Sequence, residues 1–225
     1  GQSITGVGFQ PDWVWTKIRS PNAYSHQLFD AVRGAGKNLQ SNASNAEGDL
    51  TSEFISFDSD GFTIDDVAQN VNESGSSYAS WNWKANGAGS TDSSAGLSAT
   101  VSANATAGFS IIKYQGTGSA TTVPHGLGVA PKMVIVKDRD NSRSWNVYHD
   151  GLSAATKVIF LDQNVAESTD SAIFGSAPTS SVVNIATGGG SNGSGNDYIM
   201  YAFAEVPGYS AIGSYEGNGS TDGPF

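Results

Sequence analysis

The stretch Gly126–Asp150, GLGVAPKMVIVKDRDNSRSWNVYHD, reads as a turn, a strand, a polar loop and a second strand. Gly126, Gly128 and Pro131 punctuate the entry, because glycine and proline favour turns over extended chain. Met133 to Lys137 is β-rich and apolar up to its last residue, and Asp138 to Ser144 is a charged, hairpin-like loop. Trp145, Val147 and His149 then alternate with Asn146, Tyr148 and Asp150, which is the period of a strand.

The same pattern occurs earlier, as GVGFQPDWVWTKIRSPNAYSHQLFD over Gly6–Asp30. Subtracting 120 from Gly126, Gly128, Pro131, Val134, Lys137, Arg139 and Asp150 gives Gly6, Gly8, Pro11, Val14, Lys17, Arg19 and Asp30. The offset continues through Lys37 and Lys157, Ala46-Glu47 and Ala166-Glu167, Asn72 and Asn192, and Tyr78 and Tyr198. Identities at one fixed spacing point to an internal duplication of about 120 residues. A shorter echo closes the chain. Gly208–Ile212, GYSAI, repeats Gly108–Ile112, GFSII, and Tyr215–Ser220 repeats Tyr114–Ser119 with one residue inserted between the two pieces.

Composition agrees with an all-β chain. Its 225 residues are 38% hydrophobic and only 14% charged, with 28 glycines, a balance that builds short strands and turns rather than helices. The net charge of −10 comes without any basic stripe interleaved with aromatics, which argues against a nucleic-acid partner. Cysteine is absent, so neither disulfides nor a thiolate zinc site can form. No run is long and apolar enough to span or insert into a membrane, and no signal peptide is visible. Gly1 at the start and Phe225 inside a repeated motif are expected of a segment of a longer polypeptide.

Four regions are expected. Residues 1–86 form a first β-sandwich unit without its opening strand, led in by the polar Gly1–Thr5. Residues 87–107 lack large apolar side chains and read as a Gly/Ser-rich linker. Residues 108–207 form the second unit, and 208–225 the opening strand of a third repeat, with Tyr209–Tyr215 pairing to a neighbouring unit or chain.

The motifs GFQPDWVWTKIR, FDSDGFTI, SYASWNWKA, GTGSATTVPHGLGVAPKMVIVKDR and YAFAEVPGYSAIGSYEGNGSTDGPF resemble the tandem β-rich repeats of tailed-phage tail-fibre and other virion proteins, especially those of marine phages. The resemblance covers nearly all of the chain outside 87–107. It implies jelly-roll or lectin-like sandwich units at an extracellular virion surface, in host attachment or decoration of the particle, and it brings no catalytic motif.

Candidate site residues follow from side-chain chemistry. Trp13, Trp15, Trp81, Trp83 and Trp145 could stack on sugar rings. Trp13 and Trp15 fall opposite Met133 and Ile135 at the 120-residue offset, and Trp81 and Trp83 opposite Tyr201 and Phe203, which favours core positions for those four. Trp145 falls opposite Ser25 and is the best single candidate for an exposed contact, with Arg139, Tyr148 and His149 beside it. Lys17, Lys137, Arg19, Arg139, Asp30 and Asp150 suit cross-strand salt bridges better than a ligand cluster. Asp58 and Asp60, with Asp65 and Asp66, are a weak Ca²⁺ candidate against a plain Asp-Gly turn. His26, His125 and His149 have no ligand spacing, and serine abundance makes a Ser-His-Asp arrangement uninformative. The Asn-x-Ser/Thr sequons at Asn42, Asn72, Asn104, Asn192 and Asn218 read as composition.

The expectation is therefore a non-enzymatic virion-surface adhesin, with no cofactor, that binds host-surface glycans weakly and multiplies them by repetition, as a homo-oligomer. A structural decoration protein contacting other virion subunits is the alternative. A polysaccharide depolymerase using acids such as Asp30, Asp150, Glu47 or Glu167 is a further one, decided by whether Glu47 and Glu167 share a groove.

Overall fold

A computed structural model describes residues 1–65 and 69–219, with the side chain of Gln69 set aside. It is all-β apart from one short helix. In the first part of the chain lie β1 (Gln2–Ile4), β2 (Trp13–Ser20), β3 (Gln27–Asp30), β4 (Lys37–Asn38), β5 (Gly48–Asp49), β6 (Phe54–Asp58), β7 (Gly61–Ile64), α1 (Gln69–Asn72) and β8 (Ser77–Trp83). Then come β9 (Ser90–Asp92), β10 (Ala99–Asn104), β11 (Phe109–Gln115), β12 (Thr121–Pro124), β13 (Met133–Asp138), β14 (Asn146–His149), β15 (Lys157–Phe160), β16 (Ser168–Thr169), β17 (Val182–Ile185) and β18 (Asp197–Phe203).

Pairing is antiparallel throughout. An eight-stranded sheet runs β16-β15-β14-β13-β18-β11-β10-β9, and three-stranded sheets run β3-β2-β8 and β1-β7-β6. The period-two alternation of the sequence sorts side chains between layers. On β2 and β3, Trp13 and Leu28 join one buried cluster with Phe109, Ile111, Ile135, Trp145, Val147, Ile199 and Tyr201 of the eight-stranded sheet. Their neighbours Val14 and Phe29 point the other way, onto Phe54, Phe62 and Ile64 of β6 and β7. The far face of the large sheet, through Ile112, Val134, Tyr148 and Met200, packs on Val123, Val183 and Ile185 of the β12-β17 pair. Four layers thus enclose three cores, and the middle core draws on both parts of the chain.

Three segments differ from expectation. Residues 87–107, expected as a linker, carry β9 and β10, which extend the large sheet beyond β11. Their small side chains suffice because Ala99 and Val101 need to cover only one face, and Leu97 adds the bulk. Gln2–Ile4 is a strand paired to β7 rather than a lead-in. Residues 211–219 form no strand within their own chain, an isolated Val206–Ser210 bridge precedes them, and Tyr209 and Tyr215 are exposed.

Two ladders share a numbering. β2 pairs with β8 as Trp13↔Trp83, Val14↔Asn82, Trp15↔Trp81 and Thr16↔Ser80. β13 pairs with β18 as Met133↔Phe203, Val134↔Ala202, Ile135↔Tyr201 and Val136↔Met200, each partner 120 residues on. The hairpin partners slip by one. Trp13 faces Asp30 whereas Met133 faces His149, so β3 and β14 correspond at an offset of 119.

Candidate functional site

The two ladders end differently. β18 lies between β13 and β11, while β8, among the described residues, pairs with β2 alone and leaves its second edge open over Ala79–Trp83. Asp12 N donates to Trp83 O (2.8 Å) on the β2 side, and backbone groups alternate sides along a strand. The N–H and C=O of Ser80 and Asn82 therefore face the open side. In β18 the equivalent groups of Met200 and Ala202 face β11, as the adjoining bond from Ala204 N to Gly108 O (2.8 Å) shows.

Aromatic side chains crowd this edge. Trp81 is 48% exposed although its counterpart Tyr201 is fully buried, because Tyr201 has a strand on either side. Trp15, Trp81 and Trp83 line an apolar cleft of about 180 Å³. Trp15 meets Trp81 edge-on at 6.1 Å and donates its Nε1–H to His26 Nδ1 (2.7 Å). That bond needs a neutral imidazole protonated on Nε2, and burial, with the Lys17 charge, holds the His26 pKa below its ordinary value. Beyond Trp83 a second cleft of about 640 Å³ runs past Phe109, Phe203 and Met133 to Tyr209 and Ile212. A third, of about 270 Å³, opens on the other face between Thr16, Ser80, Phe62, Ile64 and Val71. The Asn82 side-chain oxygen is buried without a hydrogen-bond partner.

The residues singled out around Trp145 do not converge. Trp145 is fully buried, corrects the expectation of an exposed contact, and donates its indole N–H to Gln40 O (2.9 Å) and Ala43 O (3.2 Å). The loop that carries Gln40 and Ala43 covers the ring, a contact across more than a hundred residues of sequence. Tyr148 is buried on the opposite face against Phe174, and His149 accepts Gly151 N–H at Nδ1 (2.9 Å). Arg139 grips Glu47 with Nε and Nη2, both at 2.8 Å.

The expected lysine–aspartate bridges are also replaced. Asp30 pairs with Arg33 and accepts the Tyr201 hydroxyl (2.7 Å), and Asp150 pairs with Lys132. Lys17 and Lys137 instead cap backbone carbonyls, Lys17 within its own hairpin and Lys137 both in its own hairpin and on the loop after β4. Lys17 Nζ donates to Ile18 O and Tyr24 O, and Lys137 Nζ to Asp138 O, Asn141 O and Ser44 O. The Lys137 side chain has no exposed surface, and burial pulls its pKa down to about 8. Between that value and its ordinary 10.5 the unfolded chain holds a proton that the folded chain has lost, so stability rises with pH across this window. Urea unfolding at stepped pH is expected to show that rise in the wild type and a flatter profile in Lys137→Met.

The acids are engaged within the fold. Asp58 accepts Ser56 Oγ and Thr63 Oγ1, each at 2.7 Å, and Asp60 accepts the N–H groups of Gly6 and Gly8. Asp65 N–H bonds Glu53 O, Asp66 lies outside the described residues, and among the described residues no cluster of three or more His, Asp or Glu is placed to hold a metal ion. Glu47 sits between Arg33 and Arg139, and Glu167 lies near Ser153 and Lys157, so the two glutamates are occupied by different partners. His125 is buried, with Nε2 against Thr179 O (3.1 Å).

Comparison with curated proteins gives no match, and comparison with solved structures gives none. A family model covers residues 1–225, and the chain belongs to that family, described as a domain of unknown function, DUF7483.

Proposed function

We propose that this protein is a non-enzymatic module of a phage-type virion surface, working outside the cell, and that it contacts other virion subunits through the open edge of β8. One observation carries the reading: an unpaired strand edge flanked by exposed tryptophan, with Trp81 at 48%. Unpaired N–H and C=O groups beside a large apolar surface suit an incoming polypeptide, which satisfies the backbone and covers the rings together. Engagement of Glu47 by two guanidinium groups and of Asp30 by Arg33 supports the non-enzymatic reading over a depolymerase, because neither carboxylate is free to move a proton.

The finer fold reading is a duplicated unit of about 120 residues, supported by the shared register of the β2-β8 and β13-β18 ladders. The two units then pack face to face through the middle core. A second reading, host attachment through glycans, is favoured by the Trp15, Trp81 and Trp83 cleft, with His26 as its polar neighbour.

The test sets wild type against Trp81→Ala in sedimentation velocity and on a glycan array. Association that weakens about tenfold in Trp81→Ala, with a flat array, is the expected result. A monomeric chain whose saturable glycan signal vanishes in Trp81→Ala would replace assembly by host attachment.

A further inference from the structure

We infer that the open edge of β8 is completed by residues 208–213 of a second copy of this chain, added as an antiparallel strand. This deepens the assembly reading and rests on it, by naming the partner and its register. The large sheet supplies the template: β11 occupies the corresponding edge of β18 as Phe109↔Phe203, Ser110↔Ala202, Ile111↔Tyr201, Ile112↔Met200 and Lys113↔Ile199. The β11 sequence recurs in this chain at Gly208–Ile212. Carrying the pairing over gives Tyr209↔Trp83, Ser210↔Asn82, Ala211↔Trp81, Ile212↔Ser80 and Gly213↔Ala79.

Three side chains in that register meet something the edge lacks. Ile112, the template for Ile212, is fully buried, and Ile212 would enter the cavity of about 270 Å³ beside Ser80, against Phe62, Ile64 and Val71. Ser210 falls opposite Asn82, whose buried oxygen has no partner, and its hydroxyl can donate there. Tyr209 follows Phe109, which packs on Trp83 at 6.3 Å, so its ring would cover the exposed end of the tryptophan row. Backbone pairing would use Ser80 and Asn82, the two residues whose groups face outward.

Within its own chain the segment turns elsewhere. Ile212 N–H donates to Glu205 Oε1 (2.9 Å), and a Cβ on Gly151 would fall 3.0 Å from the Ser214 Cβ, which places the segment over the end of β14. Tyr209 remains 74% exposed there. Moving to a second copy gives up the Val206–Ser210 bridge and gains a full strand ladder. Donor segment and acceptor edge are different residues at the two ends of one cleft, so each copy lends its donor to the next and the contact is heterologous, propagating head to tail.

Two surface variants test this by sedimentation velocity, with circular dichroism checking each fold. Ser80→Pro removes an outward N–H that β2 does not use, which an edge strand tolerates. Ile212→Asp spoils the donor. The wild type is expected to form concentration-dependent chains of subunits, and each variant alone to stay monomeric. An equimolar mixture should form dimers and nothing larger, because Ser80→Pro retains its donor and Ile212→Asp retains its edge. A wild type that stays monomeric at every concentration overturns the inference. Association lost in Trp81→Ala but retained in Ile212→Asp also overturns it while leaving the assembly reading intact, since the edge would then have a different occupant.

Discussion

Trp13→Ala is expected to destabilise the protein by about 3–5 kcal/mol, the upper range for removing a buried aromatic ring. Trp13 is 1% exposed at the centre of the middle core. Its ring lies 4.4 Å from Tyr201 and 4.5 Å from Trp83, with Trp15, Phe109 and Phe203 also in contact. Tyr201, Phe109 and Phe203 belong to the large sheet and Trp13 to the small one, so truncation opens a cavity at the seam between the two parts of the chain. The surrounding rings are held by strand pairing and can collapse only partly into it. Trp13→Phe is expected to lose far less, because it keeps most of the apolar volume and deletes an indole N–H that is buried without a partner. Guanidinium unfolding followed by both tryptophan fluorescence and far-ultraviolet circular dichroism measures the effect. One coincident transition, shifted by Trp13→Ala, is the expected result. Two transitions with only one shifted would mean that the parts fold independently and that the middle core does not join them.

The legibility of this fold followed side-chain size. β2 and β13 were readable because large apolar residues at Val14, Trp15, Val134 and Ile135 alternate or cluster over a strand's length. The turn at Asp60-Gly61 was readable because Gly61 sits at φ 152°, in the region that favours glycine, where a Cβ would strike the Ile4 carbonyl. β9 and β10 were hidden by composition. Their Ser, Thr and Ala look like a spacer until β11 is there to pair with them. The site was half legible. The tryptophans were visible, but the offset comparison made Trp81 a core residue by equating it with Tyr201. Equivalence of position transmits burial only when the neighbouring strands are also equivalent, and among the described residues β8 has no counterpart of the β11 that flanks β18. Trp145 failed for a related reason, since its cover comes from Gln40 and Ala43, 105 and 102 residues away in the sequence.

Glu47→Ala is expected to cost about 3–5 kcal/mol, the range for removing one partner of a buried ion pair. Glu47 lies on the loop after β4, and its carboxylate bridges Arg33 Nη1 (3.1 Å) and the Nε and Nη2 of Arg139. The Arg33 side chain has no exposed surface, and that of Arg139 is 14% exposed. Without the carboxylate two guanidinium groups face each other across a largely dry space. Asp30 remains for Arg33 and the more distant Asp197 for Arg139 (3.7 Å). Arg33 cannot escape by losing its proton, because a guanidinium stays charged in a folded protein and Asp30 remains beside it. The loop would also loosen from the large sheet, to which Glu47 N–H is tied through Arg139 O (2.8 Å). Acid should expose the same interaction. Burial alone would raise the Glu47 pKa, but the Arg139 hydrogen bond and both arginine charges override it and hold it below the ordinary 4.5. Its contribution is therefore complete above that value and is lost as pH falls through the lower folded value. Glu47→Gln keeps the shape and removes the titration, so its stability should fall less steeply than that of the wild type between neutral pH and the acid limit. Equal acid slopes for the two proteins, measured by urea unfolding at stepped pH, would show that the carboxylate does not hold the loop to the sheet and that the seam is carried by the aromatic core alone.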